Sequence, residues 1–219
     1  MPMSSLLHLP AVIHFAQAIS PRRTIDIGVG NGTYGFMLRQ ALDIGYERLT
    51  RESWKVTIDG VEIFEGYRNP VWDYAYDNVW RQDVREHVKE MGTYDLGLCN
   101  DVLEHFELQE AKELVGEMLN KCRAVIVTTP NVDLPQSTWG GNEAEAHKCL
   151  ITRKDLPAVV VEKKTGITSV YVCSIDANTV NAIKAAAGNC PVCRPAPWRK
   201  LREQAARVGR LLRRAVIWS

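Results

Sequence analysis

The sequence DIGVGNG at residues 26–32 is the most informative part of this chain. It follows a short β-branched run and precedes a helical pattern at residues 33–42, so it predicts a tight turn between a strand and a helix. Its three alternating glycines carry almost no side-chain bulk. Such a turn lets the backbone approach a ligand closely, although a purely structural turn would use the same residues.

The spacing of the glycines separates three kinds of ligand-binding loop. A dinucleotide fingerprint needs glycines at positions 28, 30 and 33, but Thr33 occupies the last of these. A phosphate-binding P-loop needs lysine after its second glycine, whereas Phe36 follows Gly35. The remaining pattern, D-x-G-x-G-x-G, resembles the S-adenosylmethionine (SAM) loop of the class I methyltransferases.

The order of predicted elements agrees with this resemblance. An N-terminal helical segment at residues 6–19 comes first, and the clearest later helix is at residues 107–122. Strand-like runs lie at residues 23–28, 54–63, 78–81, 94–99 and 123–129, and a hairpin pairs 158–163 with 167–175 through a turn at 164–166. We therefore predict an α/β fold with a Rossmann-like, doubly wound, mostly parallel seven-stranded sheet that ends in an antiparallel hairpin.

Three acidic residues stand at the tips of successive strands. An acid at the tip of the second strand can accept both ribose hydroxyls. By alignment with the family's Gly-Val-Glu pattern we choose Glu62, and Glu65 lies too far past the strand. The resemblance implies that Asp26 orients the cofactor's ammonium group. It also implies that Asp83 accepts from the adenine amine while the N–H of Val84 meets the ring. A helix-capping role is the alternative for Asp83.

Two further strings carry the resemblance. D-V-L-E-H at residues 101–105 follows the fourth strand, and T-P-N at residues 129–131 ends the fifth. Both are typical of the family branch that includes the ubiquinone-pathway O-methyltransferases. The resemblance covers residues 20–175 and implies cofactor contacts from the loop glycines and from the end of the fourth strand, namely Gly28, Gly30, Gly32 and Asn100. It implies a methyltransferase that acts on oxygen, rather than nitrogen or carbon, of a small-molecule, glycan or lipid-linked acceptor.

Methyl transfer to a hydroxyl group requires a base. His105 and His147 are the candidates, because both follow strands whose ends should lie beside the methyl group. A packed or capping role is the alternative for His105. Residues 132–150 form a long segment without a regular pattern, and loops of that length inside a compact domain are usually functional. We expect this loop to close over the acceptor.

A second enzyme class and a non-enzymatic role remain open. Small-RNA 2′-O-methyltransferases carry E-x-x-E-H and a second histidine, and by that resemblance Asp101, Glu104, His105 and His147 would hold a divalent metal. The Asp in place of the first Glu argues against the metal, so no metal is our first expectation. An acidic body argues against RNA and DNA. The third interpretation is a SAM-fold adaptor without turnover.

The charge distribution separates a tail from the body. Residues 194–219 hold eight basic residues and one acid, a net charge of +7, and the chain total of +1 leaves −6 for residues 1–193. We predict a methyltransferase domain at residues 1–176, followed at 177–219 by a linker and a C-terminal tail that forms a basic amphipathic helix. Such a helix suits an anionic membrane surface, the body of the protein or a homodimer.

The six cysteines do not form a disulfide framework. Cys190 and Cys193 make a lone C-x-x-C pair, and zinc would need two further ligands. The N-terminus shows no secretory signal, and no window approaches the ~18 apolar residues of a membrane span. We expect a cytoplasmic protein, peripheral at the inner membrane face if its tail binds lipid.

Overall fold

A seven-stranded sheet organises the computed structural model, which describes residues 6–191. Its strands are β1 (Arg23–Ile27), β2 (Thr57–Val61), β3 (Asn78–Trp80), β4 (Tyr94–Asn100), β5 (Cys122–Pro130), β6 (Val159–Thr165) and β7 (Thr168–Cys173). The order across the sheet is β3-β2-β1-β4-β5-β7-β6. The first five strands are mutually parallel, whereas β7 is antiparallel to both β5 and β6. The predicted mostly parallel sheet with a terminal hairpin is confirmed.

Helices cover both faces of the sheet. They are α1 (Leu9–Ile19), α2 (Thr33–Leu42), α3 (Pro70–Ala75), α4 (Val84–Glu90), α5 (Leu108–Lys121) and α6 (Ala177–Ala187). Successive residues of the central strands point to opposite faces of the sheet and belong to two separate cores. Leu98 packs with α1 and α2, whereas Cys99 packs with α4 and α5. Burial on both faces explains why these strands read as continuous apolar runs. Within residues 6–191, no helix has the length and apolar character needed to cross a membrane.

The hairpin turn lies two residues later than its predicted start. We predicted a turn at residues 164–166, but β6 continues through Thr165 and β7 begins at Thr168. Gly166 has a φ of 69°, a left-handed conformation that glycine adopts without steric cost. The two strands are therefore joined by a two-residue turn, and the pattern placed the hairpin correctly but not its tip.

α6 belongs to the body of the domain. We placed residues 177–219 in a linker and a C-terminal tail; within that range, Ile183 of α6 is fully buried against the core that contains α1. His14 of α1 also donates a hydrogen bond from Nε2 to the carbonyl oxygen of Ala186 at 2.9 Å. Cys190 is buried in the same core. Cys193 and the predicted amphipathic helix lie outside the described residues.

Arg39 fixes the helix that begins at the glycine loop. Its side chain is fully buried, and Nη1 donates to Asp43 Oδ2 and to the Val56 carbonyl oxygen, both at 2.6 Å. Nη2 donates to the carbonyl oxygen of Ala75 at 3.0 Å, and the guanidinium lies 4.0 Å from the ring centroid of Trp54. A buried charge is tolerated when it is paired and hydrogen-bonded in this way. Arg39 therefore ties α2 to β2 and α3.

Candidate functional site

The glycine loop occupies the point where the strand order reverses, between β1 and β4. Ligands of open α/β sheets bind in the crevice at this point. Gly28, Gly30 and Gly32 have φ angles of 75°, 52° and 81°, a region that other residues rarely adopt. A Cβ at position 28 would collide with the side chain of Val102, the second residue after β4. Gly28 therefore allows the residues after β4 to approach the loop. Gly32 is the N-cap residue of α2, and a Cβ at this position would lie 2.9 Å from the side chain of Val71.

Glu62 follows β2 and reaches back to the glycine loop. Its Oε2 accepts the N–H of Gly30 at 2.8 Å, and its Oε1 accepts the N–H of Phe64 at 2.9 Å. The side chain lines the pocket beside the loop and is largely buried, which raises its pKa. The predicted ribose-binding acid thus also fixes the shape of the loop.

Asp26 lies behind the loop in the core of the domain. Its Oδ2 accepts the hydroxyl of Tyr76 at 2.6 Å, and the same hydroxyl accepts the N–H of Gly35 at 3.0 Å. Burial raises the pKa of Asp26 to about 7, although the hydrogen bond from Tyr76 offsets part of this effect. Oδ1 is buried without a partner among the described residues. Asp26 therefore holds Tyr76 in the core and does not itself line the pocket.

Asp83 begins α4, as the capping interpretation predicts. Its carboxylate accepts the N–H of Arg85 at 2.8 Å, and the guanidinium of Arg85 donates to both of its oxygens. These hydrogen bonds hold the pKa of Asp83 below its usual range. Asp83 and Val84 also line the pocket, so capping leaves a contact with a ligand geometrically available.

Asn100 ends β4 with its amide group buried beside the pocket. Only 4% of the residue is exposed, and neither its side-chain nitrogen nor its oxygen has a partner among residues 6–191. A buried amide without partners loses the hydrogen bonds that it makes in water. Asn100 therefore offers one donor group and one acceptor to a bound molecule.

His105 and His147 come together although 42 residues of chain separate them. Their ring centroids lie 5.1 Å apart. His105 donates from Nδ1 to the carbonyl oxygen of Ala146 at 3.3 Å, and His147 donates from Nδ1 to that of Leu134 at 2.7 Å. Each bond fixes the tautomer and leaves Nε2 without a proton in the neutral ring. Burial lowers the pKa of His105, which favours the neutral form that a base requires.

Three of the four proposed metal ligands converge. One potential ligand atom each from Glu104, His105 and His147 lies within 4.8 Å of the others. Asp101 is outside this group, and it accepts the hydroxyl of Thr128 at 3.0 Å. Burial and the nearby Asp101 carboxylate raise the pKa of Glu104 well above its usual value. Glu104 would have to lose a proton to bind a metal, which makes binding pH-dependent.

The loop after β5 lies over the pocket and contributes residues that sequence reasoning missed. Glu145 is largely buried, and its Oε1 accepts the hydroxyl of Tyr67 at 2.7 Å. Asn142 donates to the same hydroxyl at 3.3 Å. Both loop residues line the pocket together with Lys148. Because 78 residues separate Tyr67 from Glu145, no local sequence pattern connects them.

Solved structures share this architecture. An O-methyltransferase family protein from Burkholderia thailandensis matches with a TM-score of 0.53 at 15% identity, over 78% of this chain and 58% of that one. Magnesium protoporphyrin IX methyltransferase from Synechocystis PCC 6803, with bound S-adenosylhomocysteine (SAH), matches with a TM-score of 0.54 at 15% identity, over 76% and 81%. The chain has the class I SAM-dependent methyltransferase fold. The resemblance predicted from the sequence is confirmed at this level.

A further solved structure matches, whereas comparisons of the sequence alone find no relative. The N-terminal domain of EvdMO1, crystallised in the presence of SAH and D-fucose, matches with a TM-score of 0.50 at 15% identity, over 74% of this chain and 80% of that one. No protein-family model and no curated protein matches the sequence.

In this methyltransferase fold, most of the predicted site residues share one pocket. Those that line it are Gly28, Gly30, Glu62, Asp83, Val84, Asn100 and His105. Asp26, Gly32 and His147 lie next to the lining without belonging to it. His147 contacts the lining residue His105, whereas the partner of Asp26 is Tyr76, which does not line the pocket.

Proposed function

We propose that this chain is a SAM-dependent O-methyltransferase. The observation that carries the proposal is the pocket at the switch point of a methyltransferase fold, where an acid at the tip of β2, a glycine loop and an unpartnered asparagine meet. A cofactor with a ribose, an amino-acid part and a positive charge suits this combination. One neighbour of the same fold has bound SAH and another was crystallised in the presence of SAH, which supports SAM as the cofactor.

The residues around the pocket can each hold one part of SAM. Glu62 would accept from the ribose hydroxyls, since each of its oxygens retains a second lone pair beyond its bond to a backbone N–H. Asp83 and Val84 would meet the adenine. Gly28 and Asn100 would contact the amino-acid part.

The methyl acceptor would approach from the side of the two histidines. SAM supplies a methyl group already activated by its positive sulfur. His105, which faces the pocket, would take the proton of an acceptor hydroxyl on Nε2, and His147 would hold the ring in place. Removing that proton as the acceptor oxygen bonds to carbon avoids a positively charged product oxygen.

The loop that carries His147 favours an acceptor with an apolar face. Trp139 is 49% exposed, and Val132 and Leu134 are also exposed on this loop. Aromatic and aliphatic surfaces suit the faces of sugar rings and the chains of lipids, because both present C–H groups. We therefore retain a small-molecule, glycan or lipid-linked acceptor as the proposed substrate class.

The second candidate function is a metal-assisted 2′-O-methyltransferase that acts on RNA. The observation that favours it is the convergence of potential metal ligands from Glu104, His105 and His147. In that case the metal would bind and acidify the acceptor hydroxyl. Phosphate binding requires a basic groove, whereas residues 1–193 carry a net charge of −6.

Turnover of labelled SAM by the full-length protein, with fractionated cell extract as the source of acceptors, tests both proposals. We expect methylation of an extract fraction that His105→Ala lowers by about 10²–10⁴-fold. His14→Ala is the matched control, since His14 contacts α6 and does not line the pocket. Activity that survives a strong chelator would exclude the metal version. SAM binding without turnover in any fraction would favour the adaptor instead.

A further inference from the structure

The carboxylate of Asp83 is occupied by one arginine. Its Oδ1 accepts the backbone N–H of Arg85 at 2.8 Å and the side-chain Nε–H at 3.0 Å. Its Oδ2 accepts from Nε at 3.1 Å and from Nη2 at 2.5 Å. A carboxylate offers about four lone-pair sites, so these contacts use the capacity of Asp83 to accept hydrogen bonds. In this arrangement, the adenine amine that the resemblance assigns to Asp83 requires another acceptor.

Gln82 supplies an acceptor on the same wall of the pocket. It lies two residues past the end of β3 and lines the pocket beside Asp83. Its side-chain nitrogen lies 2.8 Å from Nδ1 of His87. Because an amide nitrogen only donates, this bond turns the nitrogen of Gln82 toward His87 and leaves its oxygen as the acceptor. That oxygen accepts no hydrogen bond from the part of the chain that the structure describes.

His87 holds the amide of Gln82 at a cost in stability. The residue is 6% exposed, and its ring lies 4.5 Å from that of Trp80. Burial lowers the pKa of His87, which favours the neutral ring, and since Nδ1 accepts from Gln82, the proton lies on Nε2. Nε2 is buried and has no partner within residues 6–191. A buried donor without a partner is unfavourable, and a phenylalanine ring would avoid this cost. The advantage of histidine at this position is therefore its contact with Gln82.

An acceptor in this place distinguishes adenine from bases that lack its amine. The 6-amino group of adenine is a hydrogen-bond donor, and the side-chain oxygen of Gln82 can accept from it. We propose that Gln82 is a specificity-determining residue that recognises the adenine amine of SAM, and that His87 is its positioning residue. The inference rests on the proposed use of SAM.

The proposal predicts that Gln82 and the amine contribute to binding through each other. Titration calorimetry of the full chain would compare SAH with an SAH analogue that carries purine in place of adenine and so lacks only the 6-amino group. We expect wild type to bind the analogue about five- to tenfold more weakly than SAH. Gln82→Met retains the length of the side chain without its amide, and it should bind the two ligands within about twofold of each other. Gln109→Met is the matched control, because Gln109 is exposed on α5 and does not line the pocket.

His87→Phe tests the positioning role. The variant keeps a ring against Trp80 and removes the unpartnered Nε2, so we expect it to fold, with urea unfolding as the check. Its preference for SAH over the purine analogue should fall toward the value of Gln82→Met. A purely structural role of His87 would weaken both ligands equally and leave their ratio unchanged.

Each outcome decides a different statement. Equal binding of the two ligands by wild type would overturn the proposal, because it would mean that the amine is not recognised. A full preference for SAH in Gln82→Met would overturn it as well, since the acceptor would then be another residue. If Gln82→Met does not fold, the ratio in His87→Phe decides. A wild-type chain that binds neither ligand would refute the proposed function instead.

Discussion

Glu62 accepts the backbone N–H of Gly30 at 2.8 Å, so the acid at the tip of β2 holds the loop that follows β1. The two residues come from neighbouring parallel strands whose registers place Ile27 beside Val61. Because the second carboxylate oxygen accepts the N–H of Phe64, the side chain is fixed in one orientation. The loop therefore has its binding shape before any ligand arrives, which lowers the entropy lost on binding.

Replacing Glu62 should weaken SAM binding. Glu62→Ala removes the acceptor of the ribose hydroxyls and also leaves the N–H of Gly30 without its partner. We expect a loss of about 1.5–3 kcal/mol in binding free energy, measured by calorimetry. Glu65→Ala is the control, since Glu65 pairs with Arg81 at the surface and does not line the pocket. Unchanged affinity in Glu62→Ala would remove this residue from the site.

Two glycine substitutions should have opposite effects on stability. Gly28→Ala forces a positive φ on alanine and drives its Cβ into Val102, so we expect a loss of about 2 kcal/mol or more. Gly116→Ala places a Cβ in open space within α5 and should add about 1 kcal/mol through helix propensity. Urea unfolding measures both. A Gly28→Ala variant as stable as wild type would show that the loop tolerates side chains.

The buried carboxyl of Asp26 should make stability depend on pH. Its folded pKa of about 7 lies above the value of ~4 for an exposed aspartate, so the native state binds a proton that the unfolded state has lost. The corresponding stability is present below about pH 4 and is lost as pH rises through 7, by up to ~1.4 kcal/mol per pH unit.

Asp26→Asn isolates this contribution, because asparagine retains an acceptor for the Tyr76 hydroxyl and does not titrate. Urea unfolding of both proteins at about pH 5 and about pH 8 should show that the variant gains stability relative to wild type as pH rises. A difference that stays constant between the two conditions would place the titration elsewhere.

Glycines and acids after predicted strands could be placed from sequence because parallel strands end at one edge of a sheet. Glu62, Asp83 and Asn100, which follow such strands, line the pocket, and their contacts with a cofactor stay a prediction. Tyr76 and Glu145 could not be found in this way. Each acts through a partner 50 or more residues away, and only the folded chain brings such pairs together. Local pattern also could not show that Asp83 caps α4 while lining the pocket.

The C-terminal tail should be dispensable for cofactor binding. Every pocket-lining residue described lies between Ile27 and Lys148, so removing residues 194–219 should leave SAM affinity unchanged. We predict from its charge that the tail attracts anionic lipid by roughly 1 kcal/mol per basic residue near the surface. Flotation with anionic vesicles should therefore recover the full chain, less so at high salt, and not the truncated one. Equal flotation of both would favour a tail that packs on protein.

The buried guanidinium of Arg39 has a consequence for how the domain opens. It lies about 9 Å along α2 from the first helical residue after the glycine loop, and it bonds to the carbonyl oxygens of Val56 and Ala75. Unfolding α2 alone would take the guanidinium away from those two carbonyl oxygens and from Oδ2 of Asp43 in the protein interior. The backbone amides of α2, β2 and α3 should therefore exchange with solvent deuterium as one cooperative group. The rate of this exchange should depend on Arg39, although Arg39 does not line the pocket.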